Sequence, residues 1–460
     1  MTAKLQSHGQ YEEYQKVFDD WLAEDIIEDV QNGEEKKHCH YLPHRAVFKP
    51  DSQTTPVRPV FDASCKVGRS PSLNEMLEKG PNLVELLPAV LLRFRENRIG
   101  VIADIRKAFQ MIEVHEADRD FLRFLWWENP DRRELKVYRH KRVVFGVNCS
   151  PFLLSAVLEF HLKSVGGEQA VLANKLLRSM YVDNCTTSVS TEEEYQQFKL
   201  QATGLIAEAK MELRGWECTE QMEASEDRNM SPVGTTTKVL GLVWDKGKDT
   251  LSCEVPELQI SDDVTKRSIL SCMNKIFDPL GFLCPAVLPL KILLQSAWLA
   301  KAGWDERLPE EVSIKFRKWL AEISCLQYIS VSRDLSGGCD HDHSLFELHT
   351  FCDASQDAYA AVVYLRATDQ DGHVSVQLVM TKSRLAPLKR PTIPRMELLA
   401  CVIGARLSSF VKDALNLCNV FSFLWSDSTT ALSWIKGNDE WGTFVGNRVK
   451  EICSVTKPED

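Results

Sequence analysis

Two acidic residues, Asp104 and Asp183, lie where short apolar runs of the sequence end. The runs are residues 100–103 and 179–182, and each is typical of a buried strand. One acid after one strand is most often a solvated turn residue, so neither position is informative alone. Two carboxylates on adjacent strands can hold two Mg²⁺ ions about 4 Å apart, because hard divalent cations prefer oxygen ligands. This arrangement is the one that nucleotidyl transfer onto a primer 3′-hydroxyl requires.

A second set of acids, Asp353, Glu397 and Asp427, lies in the last quarter of the chain. We predict Asp353 on the first strand of this region, Glu397 on the first turn of a long helix, and Asp427 at the end of the next strand. Glu397 and Asp427 also have ordinary explanations, since acids are favoured at helix N-termini and as N-caps. The three positions indicate a site only if the fold brings them to one end of a sheet.

The elements that must position these acids fall into four parts of an α+β fold. Residues 1–37 are predicted to form one or two polar helices, and residues 38–246 alternate short strands with helices. Residues 247–344 change to a helical character, and residues 345–460 alternate again. We therefore expect an acidic helical segment, a first α+β domain, a helical connection and a second α/β domain.

Composition excludes several classes of protein. The chain has 460 residues, of which 44% are hydrophobic and 26% charged, as in a folded globular protein. The longest apolar stretch is interrupted by Pro285, Pro289 and Lys291, so we expect no membrane span and no membrane partner. The 14 cysteines form no C-x-x-C pair, which indicates reduced thiols in an intracellular protein and argues against zinc fingers.

The charge distribution permits a nucleic-acid partner although the net charge is −10. Residues 1–37 carry ten acids and four lysines, whereas residues 38–107 carry eleven basic and seven acidic residues. The second of these segments has a positive balance, so a local basic surface can exist within an acidic chain.

Several motifs in a fixed order resemble the reverse transcriptase of long-terminal-repeat retrotransposons of the BEL/Pao group. The motifs are residues 41–47 (YLPHRAV), 56–64 (PVRPVFDAS), 72–74 (SLN), 80–83 (GPNL), 103–109 (ADIRKAF), 144–146 (VFG), 150–152 (SPF), 181–184 (YVDN) and 238–244 (KVLGLVW). The resemblance covers roughly residues 38–460. It implies reverse-transcriptase fingers and palm in residues 38–246, a helical thumb and connection in 247–344, and RNA-directed DNA polymerase activity.

The resemblance also implies roles for individual residues of the first site. Asp104 and Asp183 would hold Mg²⁺ or Mn²⁺, with the carbonyl of Ile105 as a further ligand. Arg58 would contact the triphosphate, and Phe109 would exclude a 2′-hydroxyl. Gly146 would let the backbone approach the nucleotide closely. One departure is Asn184, because the family usually has a second Asp there and an amide binds Mg²⁺ more weakly than a carboxylate.

The last region resembles a ribonuclease H domain, in which three acids meet for two-metal phosphodiester hydrolysis. In this interpretation Asp353, Glu397 and Asp427 are catalytic metal ligands. The fourth acid of that family has no match in the 33 residues after Asp427. We therefore expect residues 345–460 to be a C-terminally truncated ribonuclease H-like domain with weak or absent hydrolysis.

The sequence leaves three functional hypotheses open. The first is a reverse transcriptase that uses an RNA or DNA template, a primer and dNTPs, located in the cytoplasm or in a cytoplasmic virus-like particle as part of a retrotransposon polyprotein. The second is a catalytically inactive nucleic-acid-binding relic or domesticated protein, which Asn184 favours. The third is a protein-interaction module formed by the acidic helices of residues 1–37.

Overall fold

The structure is a computed structural model in which residues 1–30, 38–49, 56–129, 134–219, 236–255, 258, 263–339, 344–417, 419–437 and 439–457 are described. No helix among the described residues is long and apolar enough to cross a membrane.

The helices are distributed along the whole chain. They are α1 (Thr2–Ser7), α2 (Tyr11–Ala23), α3 (Leu73–Met76), α4 (Leu87–Phe94), α5 (Ser150–Ser164), α6 (Ala170–Ser179), α7 (Glu192–Glu208), α8 (Lys266–Lys275), α9 (Cys284–Leu299), α10 (Glu310–Ala321), α11 (Ile393–Leu415), α12 (Thr429–Lys436) and α13 (Thr443–Val455).

The strands concentrate in the first half of the chain and in its last quarter. They are β1 (Ile27–Asp29), β2 (His44–Phe48), β3 (Val57–Phe61), β4 (Ile99–Ile105), β5 (Arg123–Asn129), β6 (Glu134–His140), β7 (Met180–Tyr181), β8 (Asn184–Val189), β9 (Leu213–Cys218), β10 (Thr236–Val239), β11 (Leu242–Asp245), β12 (Thr250–Cys253), β13 (Ser330–Ser332), β14 (Leu345–Ala354), β15 (Ala358–Thr368), β16 (Val374–Leu385) and β17 (Phe421–Trp425). The predicted α+β class is confirmed.

The chain forms two compact units, and it passes from one to the other several times. The first unit contains Met1–Val84, Asp104–Asn184 and Leu200–Arg214, and the second contains Glu85–Ala103, Cys185–Lys199 and Gly215–Asp460. Strands β4 and β8 cross the division, since Asp104 and Asn184 stand at unit boundaries.

Aromatic side chains build the core of the first unit. A sheet of order β1-β6-β5 and the hairpin β2-β3 pack with helix α2. Tyr14 and Phe18 of α2 are fully buried against Phe124 and Trp126 of β5, with ring centroids 5.1–5.3 Å apart. The acidic N-terminal helix therefore presents its apolar face to this core, which leaves only its polar face for a partner.

The sequence predicted only helices in residues 1–37, and the structure differs at the end of that segment. Residues Ile27–Asp29 form strand β1, which pairs antiparallel with β6 through the register Ile27↔His140. Ile27 is buried, so pairing with β6 and burial in the core outweigh the local helical pattern.

The first pair of acids belongs to a four-stranded sheet of order β7-β8-β4-β9. Strand β4 is buried except at Ile102 and Asp104, which are half-buried, and Asp104 lies near its C-terminal end. Strands β7 and β8 form a hairpin, with Val182 and Asp183 in the turn.

The second unit contains a sheet of order β16-β15-β14-β17, covered on one face by helix α11. Strand β14 is antiparallel to β15 and parallel to β17. Helix α11 approaches β14 closely at Gly404, where an added Cβ would lie 2.2 Å from the sulfur of Cys352. A second sheet, of order β10-β11-β12-β13, belongs to the same unit.

Candidate functional site

Asp104 and Asp183 lie side by side because their strands are linked by a backbone hydrogen bond. The amide of Ile105 donates to the carbonyl of Asp183 at 2.8 Å. Val182, the residue before Asp183, has a φ of +59°, which is rare for a β-branched residue and typical of a constrained turn. The tight hairpin turn thus presents Asp183 at the end of β4 that carries Asp104.

The charge of Asp183 depends on its burial and on the charged residues around it. Burial raises the pKa of Asp183, the negative charge of Asp104 raises it further, and the positive charge of Arg58 acts in the opposite direction. A cation between two such carboxylates would relieve their repulsion. The oxygen ligands present therefore fit a hard divalent cation such as Mg²⁺ or Mn²⁺.

Two side chains at this site already contact the carboxylates. The guanidinium Nε of Arg214, on strand β9, lies 3.4 Å from Oδ2 of Asp104. The side-chain amide of Asn184 donates to Oδ1 of Asp183 at 3.0 Å. Sequence reasoning missed Arg214, since nothing in residues 213–218 except a basic residue in a strand pointed to it.

Asn74 holds the loop that contains Gly146. Its side-chain nitrogen donates to the carbonyl of Gly146 at 3.1 Å, and its side-chain oxygen accepts from the amide of Asn148 at 2.8 Å. Gly146 has a φ of +95°, and an added Cβ would lie 2.5 Å from the carbonyl oxygen of Phe61. Glycine is therefore required at this position by the protein's own backbone.

The structure places Phe109 beneath a second aromatic residue. Phe109 is 4% exposed and its ring lies edge to face with Phe145, with centroids 4.4 Å apart. Phe145 itself is 54% exposed. The two rings form one aromatic step, of which Phe145 supplies the accessible surface.

The three acids of the second set converge. One carboxylate oxygen each from Asp353, Glu397 and Asp427 lies within 4.8 Å of the others. The parallel register of β14 and β17 explains this, since Phe351 pairs with Trp425 and the two aspartates each follow two residues later. Glu397 reaches the same edge from helix α11.

Glu397 is the buried acid of this cluster, whereas Asp353 and Asp427 are exposed. Burial, followed by the negative charges of Asp353 and Asp427, raises the pKa of Glu397 to about 7. Its Oε2 atom is buried and has no hydrogen-bond partner among the described residues. A buried carboxylate oxygen without a partner, facing two further carboxylates, fits a divalent cation.

Two details of the predicted cluster differ in the structure. Helix α11 begins at Ile393, so Glu397 is its fifth residue and lies beyond the first turn. The N-cap of helix α12 is Ser428, whose hydroxyl accepts from the amide of Ala431, so Asp427 is not needed as a cap. Both differences favour a role for the acids in a site over a role in helix capping.

Comparison with known proteins finds a family match for a segment that contains all three acids of the second set. Residues 265–428 match the family described as Pao retrotransposon-like RNaseH-like domain. The matched segment includes helices α8 to α11 and ends just after Asp427. The sequence matches no protein in a search of curated proteins.

Solved structures of foamy viral protease–reverse transcriptase have the same fold. One in complex with double-stranded DNA, described as dRH, is 14% identical with a TM-score of 0.58, over 96% of this chain and 66% of that chain. One with an RNA/DNA hybrid is 14% identical with a TM-score of 0.56, over 98% and 52%. Another with double-stranded DNA is 15% identical with a TM-score of 0.57, over 96% and 80%.

The chain thus spans about half to four-fifths of the length of these viral proteins. At this level of identity the likeness concerns the fold. The predicted resemblance to Pao retrotransposons is confirmed: the chain has the fold of a reverse transcriptase with an RNaseH-like domain, and its residues 265–428 match the Pao retrotransposon-like RNaseH-like domain family.

Proposed function

We propose that this chain is an RNA-directed DNA polymerase that extends a primer by two-metal nucleotidyl transfer. The observation that carries the proposal is the adjacency of Asp104 and Asp183, joined through the Ile105 amide at 2.8 Å in a fold shared with reverse transcriptases. Both carboxylates stand at one end of a sheet, where they can face a primer terminus and a triphosphate.

Asp104 and Asp183 would hold the cations, and the carbonyl of Ile105 would be a further ligand. Divalent cations bound there would lower the pKa of the primer hydroxyl and neutralise the leaving pyrophosphate. Arg58, exposed on β3 and close enough to influence Asp183, would bind the triphosphate from the other side. The aromatic step of Phe109 and Phe145 would exclude a 2′-hydroxyl, with Phe109 supporting the exposed Phe145 ring.

The three-acid cluster supports a second activity of the same chain. Asp353, Glu397 and Asp427 would hold the cations for hydrolysis of the RNA strand in an RNA–DNA hybrid, an activity that the sequence predicts to be weak or absent. Glu397 has the raised pKa of a group that exchanges a proton for a cation near neutral pH.

The predicted domain boundaries at residues 38, 247 and 345 stay predictions.

Primer extension on an RNA template is the test. The chain should add dNTPs to a DNA primer in Mg²⁺ or Mn²⁺, and Asp104→Asn or Asp183→Asn should abolish extension while leaving thermal stability in EDTA nearly unchanged. Asp427→Asn is the matched control, because it removes a carboxylate from the other cluster. Extension that survives both substitutions at the first site would refute the assignment.

Asn184 favours a second candidate, a nucleic-acid-binding protein without polymerase activity. A neutral amide stands beside Asp183 and donates to it, and Arg214 lies against Asp104. Both contacts donate hydrogen bonds to the carboxylates, which weakens the tendency of the carboxylates to bind a cation. This candidate predicts that the chain binds primer–template with no extension in either Mg²⁺ or Mn²⁺.

We also propose that the chain works as part of a retrotransposon polyprotein, in the cytoplasm or in a cytoplasmic virus-like particle. The Pao family match of residues 265–428 supports this context. The third hypothesis, an interaction module built on the N-terminal helices, has less support because Tyr14 and Phe18 of α2 are buried in the core of the first unit.

A further inference from the structure

A cavity of about 350 Å³ opens on the second unit between helix α11, helix α13 and the adjacent ends of β15 and β16. It is lined by none of the three acids of the candidate nuclease site. Its polar lining residues come from four elements: Tyr359, Arg384, Arg406, Asn447, Arg448 and Glu451. We call this cavity the arginine groove.

The arginine groove carries an excess of positive charge. Arg406 is bonded to Glu451, which neutralises one of its three guanidinium groups. Arg448 lies 4.0 Å from the ring centroid of Phe444 and donates to the Phe444 carbonyl at 3.2 Å, so packing orients its side chain. Arg384 is exposed on the edge strand β16, in register with Tyr359.

The segment that supplies most of the groove has a positive formal charge, whereas the chain as a whole has a negative one. Residues 381–412 contain seven lysines and arginines and one acid, which leaves a formal charge of +6 in a chain of −10. The one acid is Glu397. A positive potential of this kind attracts anions from solution and increases their local concentration.

The chemistry of the lining residues indicates the ligand. Guanidinium groups pair with phosphate through two parallel hydrogen bonds, and Tyr359 and Asn447 add neutral donors. The arginines lie on strand β16 and on helices α11 and α13, and Lys382 lies on the same side of β16 as Arg384. The groove therefore has more cationic side chains than one phosphate group would use. We propose that the arginine groove binds the phosphate backbone of a polynucleotide strand and holds it on the RNaseH-like domain.

This assignment rests on the proposed action of the chain on nucleic acids, but it can fail independently. The test measures binding of a fluorescently labelled RNA–DNA hybrid by anisotropy, in EDTA and without nucleotides, so neither acid cluster is active. Arg384→Gln should weaken binding several-fold, and Arg384→Gln with Arg448→Gln should weaken it at least about tenfold. The slope of log K against log salt should decrease in magnitude by roughly 0.9 for each lost phosphate contact.

The matched control is Lys16→Gln with Lys163→Gln, which removes two exposed charges from helices α2 and α5 of the first unit. Equal losses in the control and the arginine variants would mean that only net charge matters and would overturn the proposal. The same holds for unchanged affinity in Arg384→Gln, whose exposed side chain can be replaced without unfolding the domain. Inorganic phosphate and a dNTP should compete only weakly, and full competition by either would assign the groove to a small phosphate ligand.

Primer extension then separates this proposal from the polymerase assignment. If an arginine-groove variant binds the hybrid weakly but extends a saturating primer–template at the wild-type rate, both the groove proposal and the polymerase proposal are supported. A chain that never extends a primer, yet loses hybrid affinity in the arginine variants alone, refutes the polymerase and retains the groove.

Discussion

At the scale of the residue, Glu397 combines burial with two neighbouring carboxylates. Because its folded-state pKa is raised from 4.5 to about 7, ionisation at pH 8 costs stability in the absence of a cation. Glu397→Gln should therefore stabilise the chain in EDTA at pH 8 by roughly 1–3 kcal/mol and have a smaller effect at pH 5. Urea denaturation at both pH values measures this difference.

The same variant has a second readout. Mn²⁺ should raise the melting temperature of the wild-type chain through the carboxylates, and Glu397→Gln should lose much of that increase. Asp413→Asn, on the same helix, is the control. The raised pKa of Glu397 would be contradicted if wild-type stability in EDTA rises between pH 5 and pH 8 and Glu397→Gln removes that rise.

Asn184 is the residue on which the choice between an active and an inactive polymerase depends most. Asn184→Asp replaces a neutral donor to Asp183 with a carboxylate, and a carboxylate is the better ligand for Mg²⁺. We expect primer extension in Mg²⁺ to increase or stay unchanged. A clear loss of extension would mean that the amide hydrogen bond to Asp183 has its own function.

At the scale of the element, the loop of residues 144–150 depends on Asn74. Asn74→Ala removes the bonds to Gly146 and Asn148, and the carbonyl of Gly146 and the amide of Asn148 lose their side-chain partner. We expect a loss of about 1–3 kcal/mol in stability and a larger KM for dNTPs, because this loop borders the proposed nucleotide site. Steady-state extension kinetics would check the prediction, with Asn82→Ala as a control.

The aromatic core that includes helix α2 should make the first unit sensitive to acid. Burial lowers the pKa of His140 to about 3 and also lowers the pKa of His44. In the unfolded chain these two histidines titrate near pH 6.5, so below that pH the unfolded state binds more protons than the folded state. The free energy of unfolding should therefore fall as pH falls from 6.5 towards 3. His140 alone should contribute about 2 kcal/mol between pH 7 and pH 5.

His140→Phe tests this source of acid sensitivity, because it keeps an aromatic ring among Trp21, Phe61 and Phe124. Its stability should depend less on pH than that of the wild type, as measured by thermal melts from pH 5 to pH 8. A parallel pH profile of the two proteins would assign the sensitivity to other groups.

At the scale of the whole molecule, two fully buried arginines join distant parts of the chain within the second unit. Arg333 forms a bidentate ion pair with Asp249, with both contacts at 2.7 Å, and donates to the carbonyls of Phe94 and Asn97. Arg95 donates to the carbonyls of Ser332, Leu378 and Val379. The end of α4, the strand β13 and the edge strand β16 are thereby fixed to one another.

Removing one of these cations should destabilise the second unit strongly. Arg333→Met removes the cationic partner of Asp249, which keeps only neutral donors such as the indole of Trp244, and we expect a loss of about 3–5 kcal/mol in urea denaturation. Lys248→Met is the matched control, since Lys248 forms an exposed ion pair with Asp245 at 4.0 Å and should cost less than about 1 kcal/mol. Similar losses in both variants would show that burial of the Arg333 ion pair has no special weight.

The sequence by itself determined the α+β class, the order of the strands that carry the acids, and the identity of Asp104, Asp183, Asp353, Glu397 and Asp427 as a candidate set. These features are local, because a short apolar run followed by an acid can be read within about ten residues. The convergence of Asp353 and Asp427 was predicted through the resemblance to a ribonuclease H domain, because strands β15 and β16 and helix α11 separate β14 from β17 along the chain.

Only the tertiary structure decided which side chains surround those acids. Arg214 at Asp104, Asn74 at Gly146 and Arg333 at Asp249 are contacts between residues 72 to 110 positions apart. Helix α2 is polar in sequence, yet Tyr14 and Phe18 are buried because strand β5 places Phe124 and Trp126 against them. Such contacts follow from the packing of whole elements, so the raised pKa of Glu397 and the arginine groove emerge only once the chain is folded.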